Sequence, residues 1–347
     1  MYDGGNIISQ SKVMIVLGSA SDYKVAQKAV NVFEEMNINY DLRVASAHRT
    51  HQRLKEIIVN ETEEVEVIIA IAGLAAHLPG VVAAYTTKPV IAVPVDVKLG
   101  GLDSLLSSTE MQLGTPIATM GIDRGDNAAW LACQIIACND EEMKNVLKEK
   151  RNAYNAKMQK SEEELIEKIA GKHYRKTALN KQEVVSIDKE YNLDDDTKVV
   201  IISGNYSNME TVRKIIQTLE TLKIKCEYKV ISATRDPYKL EKYIEDIDEN
   251  VDLYIAVSSL STILTGAIVS LTTKPVIGVP CTTRLSGVDS LLSMIEMPPG
   301  VPVATMGLDA GENAALFVAR IFSIYDDDIR NELLQFMKTL HRNVYYE

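Results

Sequence analysis

Thr86-Thr87-Lys88-Pro89-Val90-Ile91 recurs as Thr272-Thr273-Lys274-Pro275-Val276-Ile277, 186 residues further along the chain. The same offset lays Gly18 on Gly204, Arg49 on Arg235, Asn127 on Asn313, and Asp103-Ser104-Leu105-Leu106-Ser107 on Asp289-Ser290-Leu291-Leu292-Ser293. No gap is needed, so the chain holds two copies of one fold. At that offset His48 meets Thr234 and His77 meets Ile263. A copy that keeps the framework and drops both imidazoles places function in the first copy.

Outward from the repeated segment, short apolar runs alternate with amphipathic stretches. In the first copy Lys12–Leu17, Tyr40–Ala45, Val65–Ala72, Lys88–Val95 and Pro116–Met120 read as strands. Asp22–Met36, His51–Val59, Pro79–Thr86, Leu102–Thr109 and Asp126–Ala137 read as helices. Strict alternation predicts parallel strands with right-handed crossovers and helices on both faces. Five strands suit a flavodoxin-like order and are too few for an eight-stranded barrel. The prediction is two tandem flavodoxin-like three-layer α/β/α domains with parallel sheets. Residues 12–140 form the first and 198–340 the second. Between them, 141–176 predicts a long charged helix with a thin apolar stripe (Val146, Leu147, Tyr154, Met158, Leu165, Ile169), able to cover the core or reach a partner subunit. The polar stretch 177–197, with Asp194-Asp195-Asp196, reads as a solvated linker.

The chain has 347 residues, enough for two domains with proper cores. Its 46 % hydrophobic and 24 % charged content is that of an ordinary globular protein. A net charge of −11 argues against a surface that coats nucleic acid, so an anionic ligand needs locally placed donors. Cys133, Cys138, Cys226 and Cys281 have no metal-ligand spacing; the first two sit in an apolar helical pattern and read as buried thiols. No apolar run is long enough to span a bilayer, and no signal-peptide pattern opens the chain. These features predict a cytoplasmic protein without nucleic-acid or membrane partners.

In doubly wound sheets, ligands bind beyond the carboxyl ends of the strands near the switch point. Three loops there carry the unusual residues. Gly18-Ser19-Ala20-Ser21-Asp22 precedes a helix, whose free N–H groups suit a phosphate, while Asp22 can accept from sugar hydroxyls. The same pattern is also an ordinary helix cap. Ser46-Ala47-His48-Arg49 follows the second strand; Arg49 can grip a phosphate through paired hydrogen bonds, and His48 can move a proton near neutral pH. Ala72-Gly73-Leu74-Ala75-Ala76-His77-Leu78-Pro79-Gly80 follows the third, where small residues leave room for a ligand or for close helix–sheet packing, with Pro79 in the first helical turn. Met111–Pro116 reads as a structural or interfacial turn, and Trp130 as core. The second copy replaces Ser19, Asp22, His48, Gly73, His77 and Pro79 together but keeps counterparts of Ser21, Ser46 and Arg49. Residues needed only for folding would have to survive in both copies, so their joint loss points to a shared non-structural role.

With these motifs in order, residues 12–140 resemble the N5-carboxyaminoimidazole ribonucleotide mutase and phosphoribosylaminoimidazole carboxylase family of purine synthesis. Residues 198–325 resemble it with the catalytic signatures eroded. His77-Leu78-Pro79-Gly80 resembles the class I, mutase form. The departure is Gln112-Leu113, where the family has proline after methionine; the second copy does read Met297-Pro298-Pro299-Gly300. The resemblance implies His48 as acid/base, with Ser19, Asp22 and Arg49 binding substrate, Ser21 beside them and Ser46 near the phosphate. Gly73, Leu74, Ala75 and Leu78 are expected to line a small apolar pocket for carbon dioxide, with His77 shaping it. No metal or other cofactor is implied. The partners implied are a ribonucleotide and carbon dioxide. Class I members form eight-domain assemblies, which implies a homo-oligomer here, four chains of two domains imitating that ring. Three alternatives stay open: direct carboxylation by dissolved carbon dioxide, a nucleotide-binding module without turnover, and a purely structural second copy.

Overall fold

The computed structural model describes residues 11–169 and 191–344. The first strand, β1 (Val13–Leu17), is a five-residue apolar run buried on both sides. Val13, Ile15 and Leu17 enter one core, while Met14 and Val16 enter another on the opposite face, the alternation expected of a sheet covered twice. Chain order continues α1 (Tyr23–Glu35), β2 (Tyr40–Val44), α2 (His51–Asn60), β3 (Val67–Gly73), α3 (Leu78–Tyr85), β4 (Val90–Val95), α4 (Leu102–Thr109), β5 (Ala118–Thr119) and α5 (Gly125–Ala137). Spatially the strands run β2-β1-β3-β4-β5, all parallel. The switch point lies beside β1, whose neighbours are β2 and β3, so the three motif loops leave one edge of the sheet side by side.

A long helix, α6 (Glu141–Ile169), follows. The second copy then repeats the order: β6 (Val199–Ser203), α7 (Met209–Thr221), β7 (Cys226–Val230), α8 (Pro237–Ile247), β8 (Leu253–Ser258), α9 (Ile263–Leu271), β9 (Val276–Pro280), α10 (Val288–Ile295), β10 (Ala304–Thr305), α11 (Gly311–Phe322) and α12 (Asp327–Val344). Of the expected helix 141–176, residues 170–176 lie outside the described residues, as do 177–190 of the expected linker.

Two flavodoxin-like units are present, but their sheets are not separate. β5 and β10 pair antiparallel through Thr119 and Thr305, joining ten strands into one sheet. Two-residue strands leave exposed edges if unpaired, and each covers the other's. One face is likewise shared: α1 and α5 pack in the same apolar cluster as α7 and α11. The other face keeps a core for each copy. Trp130 is half-buried against the shared core.

The long helix reaches the second copy of its own chain. The Arg151 guanidinium on α6 donates to the carbonyls of Val269 (2.9 Å), Ser270 (2.9 Å) and Thr272 (2.8 Å), where α9 ends. Arg320 on α11 returns the gesture, donating to Ala83 O (3.0 Å) and Lys88 O (3.2 Å) around the end of α3. Cations suit such carbonyl-rich helix ends. Val146 and Leu147 pack into the shared core, whereas Tyr154, Met158 and Leu165 further along the stripe are exposed.

Candidate active site

The cleft grows from the ends of β1, β2 and β3. After β1, Ser19 caps a single 3-10 turn, Ala20–Asp22, that runs into α1. Ser19 Oγ accepts from the Ser21 amide (3.4 Å), and the Asp22 carboxylate accepts from the Ser19 amide (3.1 Å) and the Ser21 hydroxyl (3.1 Å). The turn is thus the helix cap that the sequence offered as one of two readings. Asp22 is 7 % exposed. Burial pushes its carboxyl above the usual range, opposed by hydrogen bonds from Ser21 and Ser19 and by the Arg49 charge.

After β2, Ser46 Oγ accepts from the Arg49 amide (3.2 Å), and the Ser46 amide donates to Thr50 Oγ1 (2.8 Å). These bonds turn the chain sharply before α2 and leave His48 and Arg49 exposed. After β3, Ala75 and His77 are exposed on the loop into α3, and Leu74 stands at a left-handed φ of 57°. His48 Nε2 lies 2.9 Å from His77 Nδ1, the rings meeting edge-on at 66°. One of the two nitrogens carries the shared proton, so the tautomer of either ring sets that of the other.

Two expected pocket residues are placed differently. Leu78 is 2 % exposed and belongs to the apolar core of α2 and α3 rather than an open cleft. A Cβ on Gly73 would lie 2.4 Å from Val97 Cγ2, so this glycine admits the loop after β4, not empty space. Ser19, Ser21, Asp22, Ser46, His48, Arg49, Ala75 and His77 remain on the three adjacent loops.

Asp123 was not expected. It lies after β5, its Oδ1 accepts from the Asp96 amide (3.1 Å), and its charge acts against that of Asp22. Its counterpart Asp309 accepts from the Thr282 amide at the same distance, 3.1 Å. Persistence at the repeat offset was the available signal, and it marks a loop brace.

Met111–Pro116 joins the copies. Asn313 Oδ1 accepts from the Gly114 amide (3.0 Å), and its Nδ2 donates to Gln112 O (3.0 Å) and Met111 O (3.4 Å). Gly114 itself stands at φ 92°, open to glycine without strain.

In the second copy Thr234 stands in place of His48, and the exposed Ile263 in place of His77. Thr262 Oγ1 lies 2.9 Å from Ser293 Oγ, and Ser293 donates to Leu260 O (3.1 Å), pinning that loop to α10. Among the described residues, no group of three or more His, Cys, Asp or Glu is placed to hold a metal ion. Cys133 and Cys138 are buried, which pushes both thiols up to about 12. A cavity of about 510 Å³ lined by Lys12, Glu66, Lys88, Asp140, Tyr325 and Arg330 lies at the opposite, amino ends of the strands and belongs to another part of the molecule. No described helix is long and apolar enough to cross a membrane.

A profile of the AIR carboxylase family matches residues 12–157 and again 198–343. A probable N5-carboxyaminoimidazole ribonucleotide mutase of Methanothermobacter thermautotrophicus is 46 % identical over 326 residues, covering 93 % of this chain and 96 % of the relative. Another from Methanobrevibacter smithii is 43 % identical over 339 residues, covering 96 % and 99 %. The N5-carboxyaminoimidazole ribonucleotide mutase of Methanocaldococcus jannaschii is 55 % identical over 155 residues, 98 % of that protein but 45 % of this chain. Full-length relatives thus span both copies, and a shorter one spans a single copy. With two successive matches to the profile and relatives that align end to end, this chain belongs to the AIR carboxylase family.

Proposed function

We propose that the first copy moves the carboxyl group of N5-carboxyaminoimidazole ribonucleotide from its exocyclic nitrogen to ring carbon four, a step of purine biosynthesis. The observation that carries this reading is the 2.9 Å contact between His48 and His77 beside the Ser46–Arg49 and Ser19–Asp22 loops. Arg49, Ser21 and Ser46 would hold the phosphate through charge-assisted and neutral hydrogen bonds. Asp22 would accept from the ribose hydroxyls. His48, as imidazolium, gives its proton to the carbamate nitrogen; the N–C bond breaks, its electron pair stays on nitrogen, and carbon dioxide leaves. Carbon four attacks the retained gas, forming the new C–C bond, and neutral His48 takes the ring proton. One group thus acts as acid and then as base, ending as it began. Keeping the gas beside the ring makes recapture effectively unimolecular. The exposed Leu74 and Ala75 supply apolar surface for it, and His77 fixes the tautomer of His48.

The test supplies N5-carboxyaminoimidazole ribonucleotide, or aminoimidazole ribonucleotide with bicarbonate, both without ATP. Rapid conversion of the carbamate alone is expected. Faster product from bicarbonate would replace this reading with direct carboxylation.

We further infer a cytoplasmic homotetramer in which residues 12–140 are catalytic and 198–340 are structural. Exposed apolar residues stand on the loops that follow β3 and β4. Leu99 is 77 % exposed, as is its counterpart Leu285; Leu74 and Leu102 are repeated by the exposed Leu260 and Val288. The second copy keeps this surface without the imidazoles, which favours a packing role against further copies of the chain. Four chains would present eight such domains.

A further inference from the structure

We propose that the cleft of the second copy is a separate, non-catalytic binding site for a sugar 5′-phosphate. This rests on reading the corresponding loops of the first copy as its phosphate site. Three groups survive there in matched geometry. Ser207 occupies the turn after β6, its amide donating to Asn205 Oδ1 (2.8 Å) as Ser21 donates to Ser19. Ser232 Oγ accepts from the Arg235 amide (3.3 Å), as Ser46 does from Arg49. Arg235 is exposed, and its guanidinium makes no ion pair among the described residues.

The substitutions around these groups remove two carboxylates and add one, Asp236 in place of Thr50. In the first copy, Arg49 and Lys98 on the strand-end loops are balanced by Asp22 and Asp96. At the same positions the second copy has Arg235 and Arg284 with Asn208 and Thr282. Both cations stay, the one at 284 as the fork-shaped arginine, and both carboxylates go. The carboxylates found on these loops accept from backbone amides. Asp309 accepts from the Thr282 amide, and Asp236, the residue standing where the first copy has Thr50, caps α8 by accepting from the Lys239 amide (3.3 Å). Glu210 lies beyond the loops, in the first turn of α7. A cleft kept only as scaffold has no need of two arginines that make no ion pair among the described residues, on a chain of charge −11.

The chemistry lost and kept defines the ligand. Without His48 and His77 there is no proton shuttle, so bound material is not turned over. Asn208 still offers an amide oxygen to a sugar hydroxyl, and its NH₂ adds a donor that Asp22 lacks. Ile263 offers an apolar wall in place of an imidazole. A phosphomonoester on a furanose fits this set; a carboxylated substrate awaiting protonation does not require it.

The test is calorimetric titration of the full chain with ribose 5-phosphate, alongside turnover. Two equivalents per chain are expected. Arg235→Ala should weaken one of them about tenfold or more while leaving turnover in place, and Arg49→Ala should remove the other together with turnover. Arg235 is exposed, so a thermal melt should match the wild type. A single equivalent per chain, abolished by Arg49→Ala and indifferent to Arg235→Ala, would overturn the second site and leave the catalytic reading standing. Loss of an equivalent on Arg235→Ala with full turnover in Arg49→Ala would do the reverse.

Discussion

Asn127 and Asn313 each hold a loop of the other's copy through the same set of three hydrogen bonds. Asn313 binds the Met111–Gly114 loop; Asn127 Oδ1 accepts from Gly300 N (2.9 Å), and its Nδ2 donates to Met297 O (3.3 Å) and Pro298 O (3.1 Å). The two halves are therefore related by a pseudo-twofold axis, and each loop is shaped by its neighbour. Both amides are buried. Truncation to alanine leaves three backbone groups without partners, so Asn127→Ala and Asn313→Ala should each cost about 1–3 kcal/mol in urea unfolding. The two sites share no partner, and the double variant should be close to additive. Shifts under about 0.5 kcal/mol in both would mean that water satisfies the loops as well as the amides do.

The halves should also assemble without a covalent link. One strand pair, one core formed by α1, α5, α7 and α11, and the clamps of Arg151 and Arg320 cross between them. Residues 1–176 and 177–347 produced together as two chains should copurify as one complex. Either produced alone would expose its share of that core and should aggregate. Two fragments that stay soluble and apart would show the junction to be weak.

Much of this was legible from the repeat. The 186-residue offset marked Asn127 and Asn313 as equivalent, and alternation of strand and helix predicted the doubly wound order. Their reciprocal contact was not legible, because an offset carries no information on which copy a side chain faces. The continuous sheet was hidden for a related reason: β5 and β10 are two residues each, too short to show a pairing preference. In the site, three loops were legible as motifs, yet His48 and His77 are 29 residues apart, and only the order β2-β1-β3 brings their rings together. The surroundings of Gly73 and Leu78 were not legible, because small and apolar residues serve a pocket and a packed core equally well; Val97 stands against the first and the α2–α3 core encloses the second.

His48→Asn should leave the fold intact, since the ring is exposed, and reduce turnover by about 10²–10⁴-fold. His77→Ala should lower kcat by about tenfold with little change in KM, because it acts through the tautomer of His48 and not through substrate affinity. Steady-state kinetics on both variants provides the check. Activity near wild type in His48→Asn would remove the proton shuttle from this ring. Thr234→His alone should restore nothing in the second copy, where Ile263 and Asn208 also differ.

If Leu99 and Leu285 are packed by neighbouring chains, a charge at either should break the assembly. Burial of each leucine contributes about 1.5–3 kcal/mol per contact, and aspartate would add a desolvation cost. Leu99→Asp combined with Leu285→Asp should scatter light as a smaller species than the wild type. A wild-type chain that is already monomeric would remove the ring.

Asp22→Asn should trade activity for stability. Burial raises the Asp22 carboxyl, so the folded chain holds this proton more tightly than the unfolded chain does. Stability therefore falls as pH rises through the ordinary value of 3.8 to the higher folded value, and the full cost is present at neutral pH. Asparagine keeps an acceptor for the Ser19 amide without the buried charge, and the second copy already has Asn208 there. The variant should melt above the wild type at pH 7, with the gain shrinking as pH approaches 3.8. Loss of the charged acceptor for a ribose hydroxyl should lower kcat/KM by about 10–100-fold. Thermal melts across that range, with kinetics at pH 7, separate the two effects. A variant that melts below the wild type at neutral pH would mean that the capping bonds to Ser19 and Ser21 outweigh the burial of the carboxylate.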